Sequence, residues 1–330
     1  MAIGSGLGSQ LGYVAESTYG TFVAPTKFLR SRSHSIERVA SRQQGSGITG
    51  GQFGPLLAQY VETTNAAQAS IAFDVQKNGL GVLLNTLMGG TVTPTIQGAG
   101  PAYLAAFPLA DTYGKSITVQ AGVPIRSGST VVPHSLSGGK ITSAEFSCST
   151  DSLLTGTVTV DGRIFSSVQT LATASYVNTG VFHGGQMALK AGTYSSEAAV
   201  SGVRSVGVKI NRPHDVADYV AGAAGLKGEP VLNGWADITA TIEADWMAKA
   251  TFQDLAHATT STSLVWEFVG TLLNATFYET FRITLPSVTF EPATQSVGGP
   301  GELTNTWTAT WRYDGTNLPK IETISSDTAL

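Results

Sequence analysis

The 330-residue sequence is poor in cysteine and in charged residues. Its single cysteine, Cys148, excludes an intrachain disulfide and a cysteine-rich zinc site. Charged residues make up 13% of the chain, against roughly 25% in a typical soluble protein. The net charge of −4 argues against a general nucleic-acid binder. With so few charges to cover its surface, we expect much of that surface to be buried in an assembly.

Long apolar runs and targeting signals are also scarce. The longest charge-free stretch, residues 78–110, is apolar only in its first third, which is too short to span a bilayer. The first ten residues lack the basic and apolar regions of a signal peptide. We therefore expect a protein without a membrane segment that is made in the cytoplasm.

Motifs for catalysis and cofactor binding are missing or incomplete. Residues 45–50 match GxGxxG, but the Gly-Gln-Phe-Gly-Pro that follows cannot begin a helix, so a loop is expected there. There is no GxSxG sequence, and the five histidines lack the spacing of a zinc site. Glu243 and Asp245 share a strand face without an aromatic sugar platform and are expected to be solvated or to face a channel. We predict no enzyme activity, no cofactor and no metal site.

Alternation of Thr, Val and Ile with small polar residues dominates the chain and predicts a mainly β fold. Short helices are predicted only at 79–88 and 247–259. Because strands and helices do not alternate, a doubly wound fold is excluded. The predicted strands include Ser35–Arg38, Ser70–Val75, Ile141–Phe146, Thr155–Asp161, Val203–Ile210, Asp237–Glu243, Pro286–Phe290 and Thr304–Tyr313.

The order of these elements occurs twice, at a spacing of roughly 170 residues. Each copy reads strand, loop, strand, short helix and a closing pair of strands, which indicates a tandem duplication of one β-rich domain. The alternative is that two β-rich halves align loosely. The predicted division is an N-terminal arm (1–30), a first β domain (31–163) with an exposed loop at about 90–115, a connector or peripheral insertion (164–202), a second β domain (203–318) and a C-terminal tail (319–330).

Positive charge is concentrated near the start of the first domain. Residues 27–42 hold five cations and one anion, a local charge of +4, so the rest of the chain carries −8. Two interpretations stay open: a basic strand that meets an acidic neighbour in an assembly, or a solvated strand face. The candidates for the intersubunit strand are Arg30, Arg32, Arg38 and Arg42.

Four stretches of the sequence resemble the major tail tube proteins of long, non-contractile-tailed bacteriophages. They are Leu11–Leu29 (LGYVAESTYGTFVAPTKFL), Gly139–Cys148, Glu279–Val288 and Leu303–Tyr313. The resemblance extends from about residue 8 to about residue 315. It implies a β-sandwich or half-barrel flanked by a short helix. In this family, subunits form rings whose inner strands join into one barrel, and the rings stack into the virion's tail tube.

The resemblance also implies partners. These are further copies of the chain, the tape-measure protein and passing genomic DNA in an often acidic channel, and other tail proteins at the tube ends. A duplicated chain would close as a trimeric ring with pseudo-sixfold symmetry, and a single-domain chain as a hexamer. The alternatives are a tail terminator or other injection-tube component, and a non-phage carbohydrate-binding β-sandwich.

Two long loops are candidates for contacts between stacked rings, and the arm is a candidate for contacts with a neighbour. The loops are 43–56 and 213–230, with Gln43, Gln44, Phe53, His214 and Asp215 as the candidate contact residues. The arm, residues 4–25, has little core-forming pattern and is expected to order only against a neighbouring subunit.

Overall fold

Antiparallel strands dominate the computed structural model, which describes residues 5–48, 50–126 and 130–330. Residues 1–4 of the predicted arm, and Thr49 of the GxGxxG match and of the first long loop, lie outside the described residues. The strands of the first half are β1 (Gln10–Ala15), β2 (Lys27–Phe28), β3 (Ser31–Gln44), β4 (Tyr60–Asp74), β5 (Thr95–Gln97), β6 (Ala102–Pro108), β7 (Ile117–Arg126), β8 (Thr130–Ser149), β9 (Thr155–Gly162) and β10 (Ile164–Ser166).

The second half continues with β-strands in a similar order. They are β11 (Met187–Gly192), β12 (Ala198–Ala199), β13 (Val203–Asn211), β14 (Asp237–Asp245), β15 (Thr262–Asn274), β16 (Phe277–Phe290), β17 (Thr304–Trp311) and β18 (Lys320–Ser325). The helices are α1 (Gly81–Met88) after β4 and α2 (Gln253–His257) after β14, with short 3₁₀ turns at Gly6–Gly8, Leu57–Gln59 and Gly184–Gln186. The expected mainly β fold with short flanking helices is confirmed.

Alternating side chains explain why these segments form strands. In β14, Ile238 and Ile242 are buried while Thr241, between them in the sequence, is exposed, so one face of the strand packs on the core and the other meets solvent. In β9, Val158 and Val160 are buried in the same way. All eight strands predicted from the period-2 pattern lie in strands of the structure, apart from one or two terminal residues.

The pairing pattern of the strands occurs twice. In residues 10–166, β1 pairs with β2 and β7, β8 pairs with β7, β9 and β10, and β4 pairs with β3 and β9. In residues 187–325, β11 pairs with β12 and β15, β16 pairs with β15, β17 and β18, and β14 pairs with β13 and β17. Each of these pairings of the first half thus has its counterpart in the second, whereas the β5–β6 pair occurs only in the first half of the described chain.

The two halves join edge to edge through a shared sheet. The C-terminal part of β8 pairs with β13, from Ser143 opposite Asn211 to Ser149 opposite Ser205. The sheet therefore runs without interruption through β3, β4, β9, β8, β13, β14 and β17. One hydrophobic core lies beneath it and crosses between the halves, where the rings of Phe146 and Phe281 are 5.4 Å apart.

Segments expected outside the β domains also supply strands. The arm (1–30) contains β1 and β2, the connector (164–202) contains β10, β11 and β12, and the tail (319–330) contains β18. The expectation that residues 4–25 order only against a neighbour is wrong for the described part, because β1 pairs with β7 of the same chain along its whole length. The physical reason is that Leu11 and Tyr13 are buried in the core.

Two further expectations differ from the structure. The stretch expected to be an exposed loop at about 90–115 contains β5 and β6, because β6 pairs with β18 and Phe107 is buried. The helix expected over 247–259 forms only as α2, and its N-cap, Phe252, offers no side-chain hydrogen bond to the helix start. The first predicted helix forms as α1, with Leu83 and Leu87 in the core.

Candidate channel surface and assembly edges

The solvent face of the shared sheet forms an open trough of about 610 Å³ along the junction of β8 and β13. Because successive side chains alternate between faces, the strand registers place small polar residues on this side. Most of them carry hydroxyl groups. These are Ser70, Ser143, Ser147, Thr157, Thr159, Ser205, Thr239, Thr241, Thr306 and Thr308.

Carboxylates outnumber cations on and beside the same face. Glu145 lies directly opposite Lys209 across the junction. The carboxylate of Glu243 accepts a hydrogen bond of 3.0 Å from the Ser205 hydroxyl, so Glu243 does line the open surface. The acids are Glu37, Asp74, Glu145, Asp237, Glu243 and Asp245, and the cations are Arg32, Arg204 and Lys209. The surface is hydroxyl-rich and weakly acidic.

Two buried lysines fasten the second half to the first. The loop between β13 and β14 folds back over the middle of β8 and the C-terminal end of β9. There Lys227 Nζ lies 2.6 Å from Asp161 Oδ1, and Lys140 Nζ lies 2.5 Å from Glu229 Oε1. The Lys140 side chain is 0% exposed, and its ammonium also donates to the Thr112 carbonyl at 2.7 Å. Buried charges are tolerated when they are paired in this way.

Burial shifts the pKa values of four side chains in this region. It lowers the pKa of Lys140, against the opposing effect of Glu229, and it raises the pKa of Asp161, against the opposing effect of Lys227. It also lowers the pKa of Arg212 to about 10 and that of His214 to about 4. These side chains hold the loop in place inside the chain, and they are not open to a substrate.

The first predicted stacking loop projects from the molecule. It joins β3 and β4, a long hairpin in which Gln43 lies opposite Val61 and Gln44 opposite Tyr60. The amide of Gln44 donates to the Leu56 carbonyl at 3.0 Å, which closes the base of the loop. Phe53 is fully exposed at the tip. We name this projection the β3–β4 hairpin.

The second predicted stacking loop does not project. His214 is buried: its Nδ1 donates to the Arg212 carbonyl at 2.9 Å and its Nε2 accepts from the Thr112 hydroxyl at 2.8 Å. Asp215 stays near the surface, where it accepts a hydrogen bond from the Ala217 amide. His214 is therefore not placed to contact another ring, because the ion pairs of Lys227 and Glu229 pull this loop onto the first half.

The four arginines proposed for an intersubunit strand lie on or next to β3, and all have contacts within the chain. Arg32 pairs with Asp74 at 3.2 Å. Arg38 and Arg42 both approach Glu62 on the neighbouring β4, and Arg30 donates to the Val177 carbonyl at 2.7 Å. Arg32, Arg38 and Arg42 remain roughly half exposed. The four arginines therefore do not form one cluster, and three of them keep positive charge at the surface of β3.

Other features were not predicted from the sequence. Asp161 and Lys227, which form a buried ion pair, are far apart in the chain. A local sequence pattern cannot predict such a pair. Trp235, just before β14, is 95% exposed. A large exposed aromatic side chain is typical of an interface, but a lone Trp in a sequence does not reveal its exposure.

The described residues hold no group of His, Cys, Asp or Glu that could bind a metal. Cys148 is a buried free thiol, as expected. In the part of the chain that the structure covers, no helix is long and apolar enough to cross a membrane.

Comparison with known proteins connects this geometry to one family. A comparison with curated proteins gives no match. A family model described as phage tail tube protein matches residues 6–313, nearly the whole chain. The first β unit and the open polar sheet lie within the matched region, which also covers the second unit except for β18. The chain therefore belongs to the phage tail tube protein family and is a structural component of the virion.

Proposed function

We propose that three copies of this chain close into a ring, that the rings stack into the tail tube, and that genomic DNA passes through the channel on ejection. The observation that supports this most directly is the doubled pairing pattern. Each chain would bring two tube units, residues 10–166 and 187–325, with β5 and β6 as an insertion in the first unit. The β8–β13 junction joins two units of one chain edge to edge, and the same kind of junction repeated between chains would close the ring.

The number of strands in the shared sheet is large enough for three chains to enclose an open channel. The shared sheet runs through four strands of the first unit and continues into the second. Four strands from the first unit and three from the second give about 21 strands for three chains, and strands lie about 4.8 Å apart. The circumference is then roughly 100 Å and the backbone diameter roughly 32 Å, or more once the strands tilt. Barrels with fewer strands already leave an aqueous channel.

The side chains of the trough favour weak binding of DNA, so that DNA could move along the surface. Hydroxyl groups and carboxylates such as Glu145 and Glu243 dominate the described part of this face, which offers no cluster of cations for phosphates. Because phosphate contacts through Lys and Arg dominate nucleic-acid affinity, the ring would bind DNA weakly and without sequence preference. The tape-measure protein would occupy the same channel before ejection, and other tail proteins would meet the tube at its ends.

The β3–β4 hairpin is the proposed contact between stacked rings. Its loop carries exposed apolar side chains, Ile48 and Phe53 beyond the Gln44–Leu56 closure and Leu57 at its base, and Trp235 is exposed at the same end of the sheet. The opposite end exposes Leu153 and Met247. Exposed apolar patches at the two ends of a ring can bury each other when the rings stack. The candidate residues Gln43 and Gln44 would stiffen the base of this hairpin and would not make the contact themselves.

Electron microscopy of the purified chain at rising concentration tests this function. We expect hollow tubes, or rings that stack as the concentration rises. Small uniform particles at every concentration, also after addition of tube ends from purified tails, would contradict the proposal. Single rings that never stack would indicate a tail terminator, and binding on a glycan array would favour the carbohydrate-binding alternative.

A further inference from the structure

The second unit lacks one strand that the first unit has. In the first unit, β8 pairs with β9 from Lys140 to Ser147, and its residues 143–149 present the opposite edge to β13. In the second unit, β16 ends at Phe290 after pairing only Val288–Phe290 with β17. Along Thr304–Trp307, β17 therefore has a strand partner only on its β14 side within the described residues. The missing strand corresponds to the residues that follow β16.

Matching the two units residue by residue identifies that segment. β9 begins at Thr155 and its counterpart β17 begins at Thr304. The same offset in residue number matches the pair Lys140–Asp161 of β8 and β9 to the pair Thr289–Thr310 of β16 and β17. Continuing this correspondence, residues 143–149 of the first unit match residues 292–298 of the second. We name residues 291–298 the closing segment.

The closing segment already has features of a strand. The Glu291 amide donates to the Thr308 carbonyl at 2.8 Å, which extends the β16–β17 ladder by one bond. Along 292–296, exposed and half-buried residues alternate, the pattern of a strand with one face on a core. Ala293 packs against the core, as its counterpart Ala144 does in β8. The apolar Val297, the counterpart of buried Cys148, is 75% exposed.

A long unpaired edge lies at the other end of the same chain. Among the described residues, β3 pairs only with β4, although its counterpart β13 pairs with strands on both sides. The correspondence places Glu37 at the position of Lys209 and Ile36 at the position of Val208. An open edge of this length is a template for pairing with another chain, and no strand in the described part of the chain covers it.

We propose that the closing segment of one copy becomes a strand and pairs antiparallel with β3 of the next copy, with Glu37 opposite Thr294. The register is the one seen inside the chain, where Lys209 lies opposite Glu145. This inference rests on the proposed ring and adds the residues that close it. Each copy then supplies one open edge and one segment that completes a strand, so the junction is head to tail and closes as a ring.

The contacts that hold the closing segment in the isolated chain are few and near the surface. His257 Nε2 and the Thr294 hydroxyl are 3.0 Å apart, and the Gln295 amide donates to the Gln253 side chain at 3.2 Å. The Gln295 Oε1 atom is buried without a hydrogen-bond partner in the described chain. Exchanging these contacts for a strand ladder and burying Val297 favours the paired state.

A thiol cross-link within assembled rings tests the register. The variant Glu37→Cys/Thr294→Cys is treated with a short bis-maleimide after assembly and separated on a denaturing gel. The matched positive control, Glu145→Cys/Lys209→Cys, places the same pair inside one chain. The negative control, Glu37→Cys/Thr306→Cys, moves one thiol to the next strand. Cys148 stays in all variants because it is buried.

We expect linked dimers and trimers from the Glu37→Cys/Thr294→Cys rings. Since directly opposite side chains lie about 5 Å apart, the linked fraction should exceed that of the Thr306 control roughly tenfold. The Glu145→Cys/Lys209→Cys control should link within single chains. Rings that form normally, with a positive control that links and a Glu37–Thr294 pair that does not, would overturn the closing strand and leave the proposed tube intact. A wild-type chain that forms no rings would overturn both.

Hydrogen exchange gives a second readout that needs no substitution. Amides of the closing segment should exchange roughly tenfold or more slowly in rings than in the monomer, because a new ladder protects them. Amides of β13, already paired on both sides, should change little. Equal exchange of the closing segment in both states would contradict its change from coil to strand.

Discussion

At the scale of single residues, Lys140 shows what holds the two units together. Its ammonium is buried with Glu229 and the Thr112 carbonyl as partners. We predict that Lys140→Met lowers the free energy of unfolding by roughly 3 kcal/mol, because it leaves Glu229 without its cation. Chemical denaturation followed by fluorescence measures this.

Two matched variants separate the cost of leaving the Glu229 carboxylate without its cation from the cost of losing the packing of the Lys140 side chain. Lys140→Met/Glu229→Gln removes the uncompensated carboxylate and should recover part of the loss. Lys209→Met, a lysine on the open trough, should change stability little. A Lys140→Met variant as stable as the wild type would contradict the buried pair.

His214 predicts a pH dependence. Burial lowers the pKa of its imidazole to about 4, whereas the unfolded chain takes up this proton near pH 6.5. The unfolded state therefore binds more protons between these values, and stability is lost as the pH falls through that window. Relative to His214→Gln, the wild type should lose up to about 3 kcal/mol between pH 7 and pH 4. Parallel stability curves for both proteins would contradict this assignment.

Contacts between individual side chains were the feature of the structure that could least be predicted from the sequence. The lysine pairs join residues 66 and 89 positions apart, and only the folded sheet brings them together. His214 was predicted to contact another ring because it lies in the long loop that follows the first strand of the second copy. Nothing local indicates that this loop folds inward. The buried thiol of Cys148 was predictable because it lies in an alternating strand, at a core-facing position.

At the scale of elements, the β3–β4 hairpin carries a prediction about stacking. Replacing its apolar tip with charge, as in Ile48→Asp/Phe53→Asp, should prevent tube elongation while rings still form, because the apolar contact between rings is lost. Electron microscopy measures tube length and thermal unfolding checks the fold, which should be unchanged. Val168→Asp, at an exposed apolar residue outside the hairpin, is the control. Tubes of normal length from the tip variant would exclude the hairpin as the stacking contact.

Eight segments were predicted as strands from their period-2 pattern, whereas the long strands β7 and β15 were not among those predictions. A period-2 pattern over six or more residues, as in β9 and β14, identifies a strand because one face must be buried. The two-residue strands β2 and β12 have no period to detect. β6 was hidden because its segment is rich in Gly, Pro and Thr, and its burial depends on β18, more than 200 positions later.

At the scale of the whole molecule, the doubled topology explains the scarcity of charge. In the proposed ring, a chain whose two units join edge to edge, and whose described outer edges are open, would bury much of its surface against copies of itself. As a phage tail tube protein, it needs that surface for other subunits more than for water. The order of elements could be predicted as repeated from the sequence. The β8–β13 junction could not, because pairing between distant strands leaves no local signal.

The central claim is that one chain contributes two equivalent units to a ring. The most direct test is a cryo-electron microscopy reconstruction of the assembled tube, without imposed symmetry within the ring. We predict three chains per ring, six similar lobes around the channel and a continuous inner sheet in which β3 of each chain adjoins its neighbour's second unit. A ring of six chains, or an inner sheet interrupted between chains, would contradict the account.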